Sequence, residues 1–207
     1  MAYELRSEIA QHLLAQLGFY TGKLDGVWGP KSIAAAKAWQ DAEVLAAIPP
    51  APGSTPYDLA RNHIGEKEIP GSKHNALIVR WLRIVESWVS NDETAWCSAF
   101  VNAMAKEAGY EHSGRLNARS WMNIGTKVHP ADVKPGDVVV FWRVAKDSWE
   151  GHVGFVVFRD KNRRTVKVLG GNQNDSVSVA EFDEERLLGY RRLRPIPATQ
   201  STPTKLD

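Results

Sequence analysis

The chain has 207 residues, 43% of them hydrophobic and 24% charged, and its formal net charge is +2. This is the composition of an ordinary soluble globular protein, and the weak net charge gives no reason to expect nucleic acid as a partner. No apolar run approaches the roughly 20 residues that a membrane-spanning helix needs, and the first residues lack the apolar core of a signal peptide.

The first block of the chain, residues 1–47, predicts a small helical bundle. Apolar residues recur at helical spacing near its start, and Gly18 suits the end of that helix. The segment "LDG" is a turn signal, and Pro30 in "GPKS" suits the first residue of a second helix. A block of this size is close to the limit at which a single core is stable.

The segment "LLAQLGFYTGKLDGVWGPKSIAAAKAWQ" (13–40) resembles the helical peptidoglycan-binding domain attached to many cell-wall hydrolases. The resemblance covers nearly the whole block and implies that the block binds peptidoglycan. The exposed candidates for substrate binding are Asp25, Trp28 and Lys31. The alternative is that the aromatic residues and glycines of this segment only shape a small core.

A proline-rich stretch separates this block from the rest of the chain. "AAIPPAPGSTP" contains four prolines and no charged residue, so neither a helix nor a strand can run through it. We therefore predict a linker over residues 48–56 and a second domain over 57–195. The Pro- and Thr-rich tail, residues 196–207, is predicted to be disordered.

The second domain combines helical and strand patterns. Its first half shows helical periodicity in "NALIVRWLRIVESWV" and "TAWCSAFVNAMAKEAGY". Its second half has strand-like segments: "GDVVVFWRV", "GHVGFVVFRD", "TVKVLGG", "SVSVAEF" and "LLGYRRLR". Helices followed by a run of strands predict an α+β domain with an antiparallel sheet.

Cys97 is the only cysteine, so the chain has no internal disulfide and suits synthesis in a reducing cytoplasm. A lone cysteine is usually a small buried hydrophobic residue. Thr94, however, is a good helix N-cap three residues earlier. That cap would place Cys97 in the first helical turn, where free N–H groups and the helix dipole favour a thiolate nucleophile.

A cysteine nucleophile needs an imidazole and a group that orients it. Of the six histidines, His152 in "GHVGFVV" lies at the start of an apolar strand, which would hold its side chain in a fixed position. A lone histidine at such a place more often has no catalytic function. The next strand ends in "GGNQND", and an adjacent antiparallel strand would bring Asn172 beside His152. Asn174 or Asp175 could take that role instead, and the segment could also be only a turn.

Together these motifs resemble the CHAP domains, the cysteine, histidine-dependent amidohydrolases/peptidases of bacterial and phage cell-wall lysis. "AWCSAFVNAMAKEAG", "ARSW", "PGDVVVFWR", "GHVGFVV" and "VLGGNQ" occur in the family's order and are closest to its L-G-G-N-Q subgroup. The resemblance implies a papain-like fold with Cys97 as nucleophile, His152 as general base and Asn172 as its orienting residue. Many CHAP domains place a glutamate two residues before the asparagine, where this chain has Gly170.

The two resemblances imply an endolysin that cleaves an amide bond of peptidoglycan, either as an amidase or as an endopeptidase. We expect a monomer, made in the host bacterial cytoplasm and reaching the wall after holin-type release or delivery. The alternatives are an antibacterial toxin of the same chemistry and a non-catalytic wall-binding or virion structural protein. Without H-E-x-x-H or a cysteine pair, we expect neither a metal nor a cofactor. Asn91 and Thr94 are candidates for the side chain that completes an oxyanion hole with the Cys97 N–H.

Overall fold

A computed structural model describes residues 11–12, 14–15, 20–37, 55–71 and 73–197. The chain divides into two compact units, Met1–Pro49 and Pro50–Asp207. Most of the predicted linker and nearly all of the predicted tail lie outside the described residues, so the predicted domain limits stay predictions. No described helix is long and apolar enough to cross a membrane.

The described part of the first unit is helical and has a small core of its own. Residues 30–37 form a helix that starts at the proline, as predicted. Leu14, Tyr20 and Ala35 are buried together, and Trp28 packs against them.

A buried glutamine holds the loop of the first unit in place. The side-chain oxygen of Gln11 accepts hydrogen bonds from the backbone N–H groups of Asp25 and Gly26 at 3.1 and 2.9 Å. Its amide nitrogen donates to the Val27 carbonyl at 2.9 Å and to Ser32 Oγ at 3.0 Å. One side chain thus satisfies several polar groups of the loop, which a small apolar core could not do.

The described part of the second unit has three α-helices, and two of them confirm the helices predicted from periodicity. The helices are α1 (Pro56–Arg61), α2 (Ala76–Val85) and α3 (Cys97–Glu107). Helix α1 was not predicted, because it begins on the last proline of the expected linker, where proline is tolerated at a first helical turn. Three short 3-10 helices follow: Ala118–Asn123, Pro130–Asp132 and Glu184–Arg186.

Among the residues that the structure describes, six strands form one antiparallel sheet, which confirms the predicted α+β class. The strands are β1 (Thr126–Val128), β2 (Val138–Trp142), β3 (Gly151–Asp160), β4 (Thr165–Gly170), β5 (Ser178–Asp183) and β6 (Leu187–Arg192). Their spatial order is β1-β6-β2-β3-β4-β5. All strands except the three-residue β1 match predicted segments.

Helix α3 is buried along nearly its whole length, because it packs between the other two helices and the sheet strands β3 and β4. Strand β2 is likewise buried at four of its five positions, in agreement with its unbroken apolar sequence. The start of α3 therefore lies against the central strands, and this contact determines where the candidate site forms.

Candidate active site

Cys97 is the first residue of helix α3, which confirms its predicted place in the first turn. The cap itself differs from the prediction: the N-cap is Trp96, with φ −117° and ψ 10°, and it makes no side-chain capping bond. The Thr94 backbone N–H and hydroxyl instead donate to Asn91 Oδ1, at 3.2 and 3.1 Å. The prediction of Thr94 as cap is therefore wrong, because Asn91 engages it before the helix begins.

The Cys97 side chain is only 7% exposed, and burial raises the pKa of its thiol. The backbone N–H groups of Val153 and Ser98 and the charge of Arg143 act in the opposite direction but do not cancel the effect of burial. The resting side chain is therefore a neutral thiol at neutral pH. The thiolate expected from the helix N-terminus does not form unaided, because desolvation outweighs the nearby N–H groups.

His152 is the second residue of β3 and is buried, with 5% of its surface exposed. It lies opposite Phe141 of β2 and stacks on the ring of Phe182, with the two ring centres 4.9 Å apart. Burial lowers its pKa to about 4, the Gln173 hydrogen bond acts to raise it, and the Arg143 charge lowers it. The imidazole is consequently neutral at pH 7 and can accept a proton.

Gln173 supplies the hydrogen bond to this imidazole. Its Oε1 lies 3.0 Å from His152 Nε2, while its amide nitrogen donates to the carbonyl groups of Ser178 at 2.5 Å and Val168 at 3.3 Å. Because the amide nitrogen faces two carbonyl oxygens, the amide oxygen must face the imidazole. Nε2 of the neutral ring therefore carries the hydrogen and donates it, and Nδ1 is left with a free lone pair.

Asn172 lies near His152 but does not make the expected hydrogen bond to it. Its amide is satisfied with the oxygen facing Trp96, where it accepts from the backbone N–H and the indole Nε1–H, both at 3.2 Å. Glu68 Oε1 also accepts from this indole, at 2.7 Å. Among the described residues Asn172 thus supports the residue before Cys97, and the imidazole is bound by Gln173. Gln173 was not predicted from the sequence.

The turn after β4 explains why Gln173, and not Asn172, makes the hydrogen bond to His152. Phe155 pairs with Leu169, and this register, if continued, would put Asn172 opposite His152. The chain instead leaves the sheet after Gly170, and Asn172 has a φ of +56°. This left-handed conformation turns the backbone, so that the following side chain reaches the imidazole.

Gly170 provides the space for the glutamine. A Cβ atom at position 170 would lie 3.2 Å from His152 Nε2 and 3.0 Å from Gln173 Oε1. A longer side chain at this position would meet the imidazole nitrogen that Gln173 now contacts. The signal for Gln173 was therefore present in the sequence, as a glycine where many CHAP domains have a glutamate, followed three residues later by an uncharged hydrogen-bond acceptor.

A cavity of about 300 Å³ brings the three predicted residues together. Cys97, His152 and Asn172 all line it, and so does Arg143. Asn91 and Thr94, the candidates for an oxyanion-hole side chain, do not line this cavity. The Cys97 N–H is the first free donor of helix α3, so the backbone contribution to an oxyanion hole is available.

The loop between β2 and β3 forms an apolar rim on this cavity. Val144 and Trp149 both line the cavity, although they are 83% and 72% exposed to solvent. Val144 has a φ of +59°, which is rare for a β-branched residue and marks a strained backbone. The Arg119 guanidinium donates to the Ala145 and Lys146 carbonyl groups at 3.3 and 2.7 Å, so the loop is held in place.

The three binding candidates of the first unit have different surroundings. Asp25 Oδ1 accepts from the Val27 N–H at 3.0 Å, and this bond, with that of Gln11, lowers the pKa of the carboxyl group. Trp28 is half-buried against the small core, while Lys31 is exposed. Asp25 and Trp28 thus have structural contacts within the loop, and the binding role of all three stays a prediction.

The family model of the CHAP domain matches residues 89–172, about two fifths of the chain. This range includes Cys97, His152 and Asn172. Residues 89–172 are therefore similar to CHAP domains. CHAP domains are typically cysteine- and histidine-dependent amidases or peptidases of peptidoglycan, so the match supports a peptidoglycan hydrolase. Gln173 directly follows the matched range, and the L-G-G-N-Q subgroup and the N-terminal binding domain stay predictions.

Among solved structures, the chain is similar to the peptidoglycan hydrolase RipB from Mycobacterium tuberculosis. The two are 18% identical, the alignment covers 91% of this chain and 81% of RipB, and the TM-score is 0.36. No curated protein sequence matches the chain. Within the described residues, no group of three or more histidine, cysteine, aspartate or glutamate side chains is placed to hold a metal ion.

Proposed function

We propose that this protein is a cysteine-dependent peptidoglycan hydrolase, with Cys97 as nucleophile and His152 as general base. The observation that carries the proposal is the pairing of His152 Nε2 with Gln173 Oε1 at 3.0 Å, beside a cavity shared with Cys97. This bond leaves Nδ1 of a neutral imidazole free to take a proton. The CHAP domain match supports the same chemistry.

The first half of the reaction forms a thioester. As the Cys97 sulfur attacks the carbonyl carbon of the scissile amide, the thiol proton moves to His152 Nδ1. The C–S bond forms, and the carbonyl oxygen takes the negative charge that the Cys97 N–H stabilises. The C–N bond then breaks, and the imidazolium gives its proton to the leaving amine.

The second half regenerates the enzyme. His152, neutral again, takes a proton from a water molecule as the water oxygen adds to the thioester carbon. The C–S bond breaks, a carboxylic acid leaves, and the Cys97 sulfur recovers its proton. Because the resting pair is a neutral thiol and a neutral imidazole, the thiol gives up its proton to His152 only as its sulfur attacks the substrate.

Gln173 acts as a positioning residue in this scheme. By accepting from Nε2–H it selects one tautomer and holds the ring plane, as the third member of a cysteine or serine triad does. It is uncharged, so it stabilises the imidazolium less than a carboxylate would. Burial therefore keeps the pKa of His152 low despite this hydrogen bond.

Product analysis on sacculi tests the proposal and identifies the bond. An N-acetylmuramoyl-L-alanine amidase would release peptides with a new L-alanine amino terminus, whereas an endopeptidase would expose an amino terminus within the peptide or its bridge. We expect one of these products from the full-length protein and none from Cys97→Ala, measured by mass spectrometry of digested muropeptides. Equal products from Cys97→Ala would overturn the cysteine mechanism.

We further propose an endolysin role, in which the first unit binds the wall and raises the local concentration of the catalytic domain. The support is the resemblance of residues 13–40 to peptidoglycan-binding domains and a single cysteine that needs no oxidising compartment. Expression in the bacterial cytoplasm with and without a holin tests this role. Lysis only when the holin is present is the expected result.

A further inference from the structure

A second cavity adjoins the one that Cys97 lines, and His152 lines both. Its volume is about 280 Å³, and Arg143, His152 and Asn172 line both cavities. Gln173 and Arg186 line only the second cavity. A substrate held for attack by Cys97 would therefore extend past the imidazole into a space that no step of the proposed reaction uses.

The two charged side chains that line this second cavity are both arginines. Arg143 and Arg186 are both exposed, and no aspartate or glutamate lines the cavity. The Arg186 guanidinium lies over the ring of Trp142, 5.7 Å from its centre. A guanidinium resting on an aromatic face has lost part of its conformational freedom before a ligand arrives.

These two arginines differ from those that stabilise the sheet. The guanidinium groups of Arg159, Arg192 and Arg194 bind the carboxylates of Glu184, Asp137 and Glu111. Neither Arg143 nor Arg186 has an ion pair with a carboxylate in the part of the chain that the structure describes. Their donors therefore remain available to an anion that enters the cavity.

Arg143 is also close enough to affect the reacting groups. It lines the same cavity as Cys97 and His152, and its charge lowers the pKa of both groups. A carboxylate bound here would be held near the scissile bond. It would also offset a positive charge that otherwise opposes protonation of His152 during attack.

We propose that the second cavity is a subsite for a carboxylate of the substrate peptide, bound by Arg186 and Arg143. The inference rests on the proposed function and deepens it, since peptidoglycan stem peptides carry free carboxylate groups. Arginine can bind a carboxylate through two parallel N–H···O bonds, which gives direction as well as affinity. The protein then prefers stem peptides whose carboxyl groups are free over those in which they are amidated.

The experiment compares two muropeptides that differ only in this group: one with free peptide carboxyl groups and one with the same groups converted into carboxamides. Their dissociation constants are measured by calorimetry on the full-length Cys97→Ala protein, which cannot consume them. We expect the free form to bind about tenfold more tightly, the effect of about 1.4 kcal/mol. Adding Arg186→Ala should bring the ratio close to one, whereas the exposed Arg163 on the β3–β4 turn, changed to alanine, should leave it unchanged.

Hydrolysis of the same two muropeptides by the wild-type protein separates the two proposals. If the preference is absent, or survives Arg186→Ala, the subsite is wrong, while Cys97-dependent hydrolysis of either muropeptide upholds the proposed function. If the preference is found and lost as expected but nothing is hydrolysed, the subsite stands and the catalytic proposal fails. An Arg163→Ala variant that loses the preference equally would overturn the subsite, since general charge would then explain the binding.

Discussion

Gln173 accepts a hydrogen bond from His152 through an amide whose nitrogen is held by two backbone carbonyl groups. The amide cannot turn over without placing its oxygen against those carbonyl oxygens, so the imidazole has one favoured tautomer. Gly170 makes this contact possible, because a Cβ atom there would lie 3.2 Å from the same imidazole nitrogen. The pair of residues 170 and 173 thus determines which nitrogen of the His152 imidazole is left without a partner.

The first prediction follows from the neutral charge of Gln173. In Gln173→Glu, a carboxylate faces Nε2 and favours the imidazolium, so the pKa of His152 rises from its value of about 4. The acid limb of the kcat/KM profile should then move to higher pH. Gln173→Leu removes the acceptor and should lower kcat, by as much as the ~10⁴-fold known for loss of a triad's orienting member. An unshifted profile in Gln173→Glu would exclude contact between the two side chains in the working enzyme.

The second prediction ranks the three residues of the cavity. Cys97→Ser and His152→Ala should abolish hydrolysis while leaving the fold intact, because the proposed mechanism has no other nucleophile or base. Asn172→Ala should retain at least about ten times the residual rate of either, because it contacts Trp96 rather than the reacting groups. The measurements are sacculus hydrolysis and near-UV circular dichroism. If Asn172→Ala does not hydrolyse sacculi while Gln173→Leu does, the asparagine rather than the glutamine orients His152.

The third prediction concerns the pH dependence of stability. The pKa of His152 is about 4 in the folded protein and close to the ordinary 6.5 when unfolded, so the fold favours the neutral ring. Between pH 6.5 and pH 4 the unfolded chain binds the extra proton, and the free energy of unfolding falls as the pH falls. The full effect is about 3 kcal/mol, on roughly 1.4 kcal/mol for each pKa unit. The free energy of unfolding, measured in urea, should fall by this amount more in wild type than in His152→Gln from pH 7 to pH 4. An equal dependence of the two free energies on pH would contradict the prediction.

The fourth prediction concerns the exposed rim of the catalytic cavity. Trp149 is 72% exposed on a loop held by Arg119, so its ring is ready to pack against a bound substrate without being ordered first. Trp149→Ala should raise KM for muropeptides about tenfold with a smaller change in kcat. Trp88, which is 73% exposed and does not line the cavity, provides a matched control as Trp88→Ala. Equal effects of the two substitutions would show that the rim does not bind substrate.

The sequence by itself determined the α+β class, five of the six strands, the two longer helices and the positions of Cys97 and His152. These features follow from local patterns: apolar runs and alternation define strands, and a glycine before an apolar strand marks His152. Strand β1 was not predicted because three residues are too few to show an alternating pattern. Helix α1 was not predicted because its N-cap Thr55 and its first residue, Pro56, are also typical of a linker.

Only the tertiary structure decided which side chain reaches the imidazole and whether the cysteine is charged. The register of β3 and β4, if continued, would put Asn172 opposite His152. Because the backbone is left-handed at Asn172, the side chain of Gln173 contacts the imidazole instead. The pKa of Cys97 depends on a balance between burial and nearby N–H groups, which come from different elements of the fold. Arg143 and Arg186, 43 positions apart in the chain, share a cavity only because β2 and the segment before β6 lie side by side. Sequence patterns report on neighbours along the chain, whereas charge, tautomer and cavity shape depend on neighbours in space.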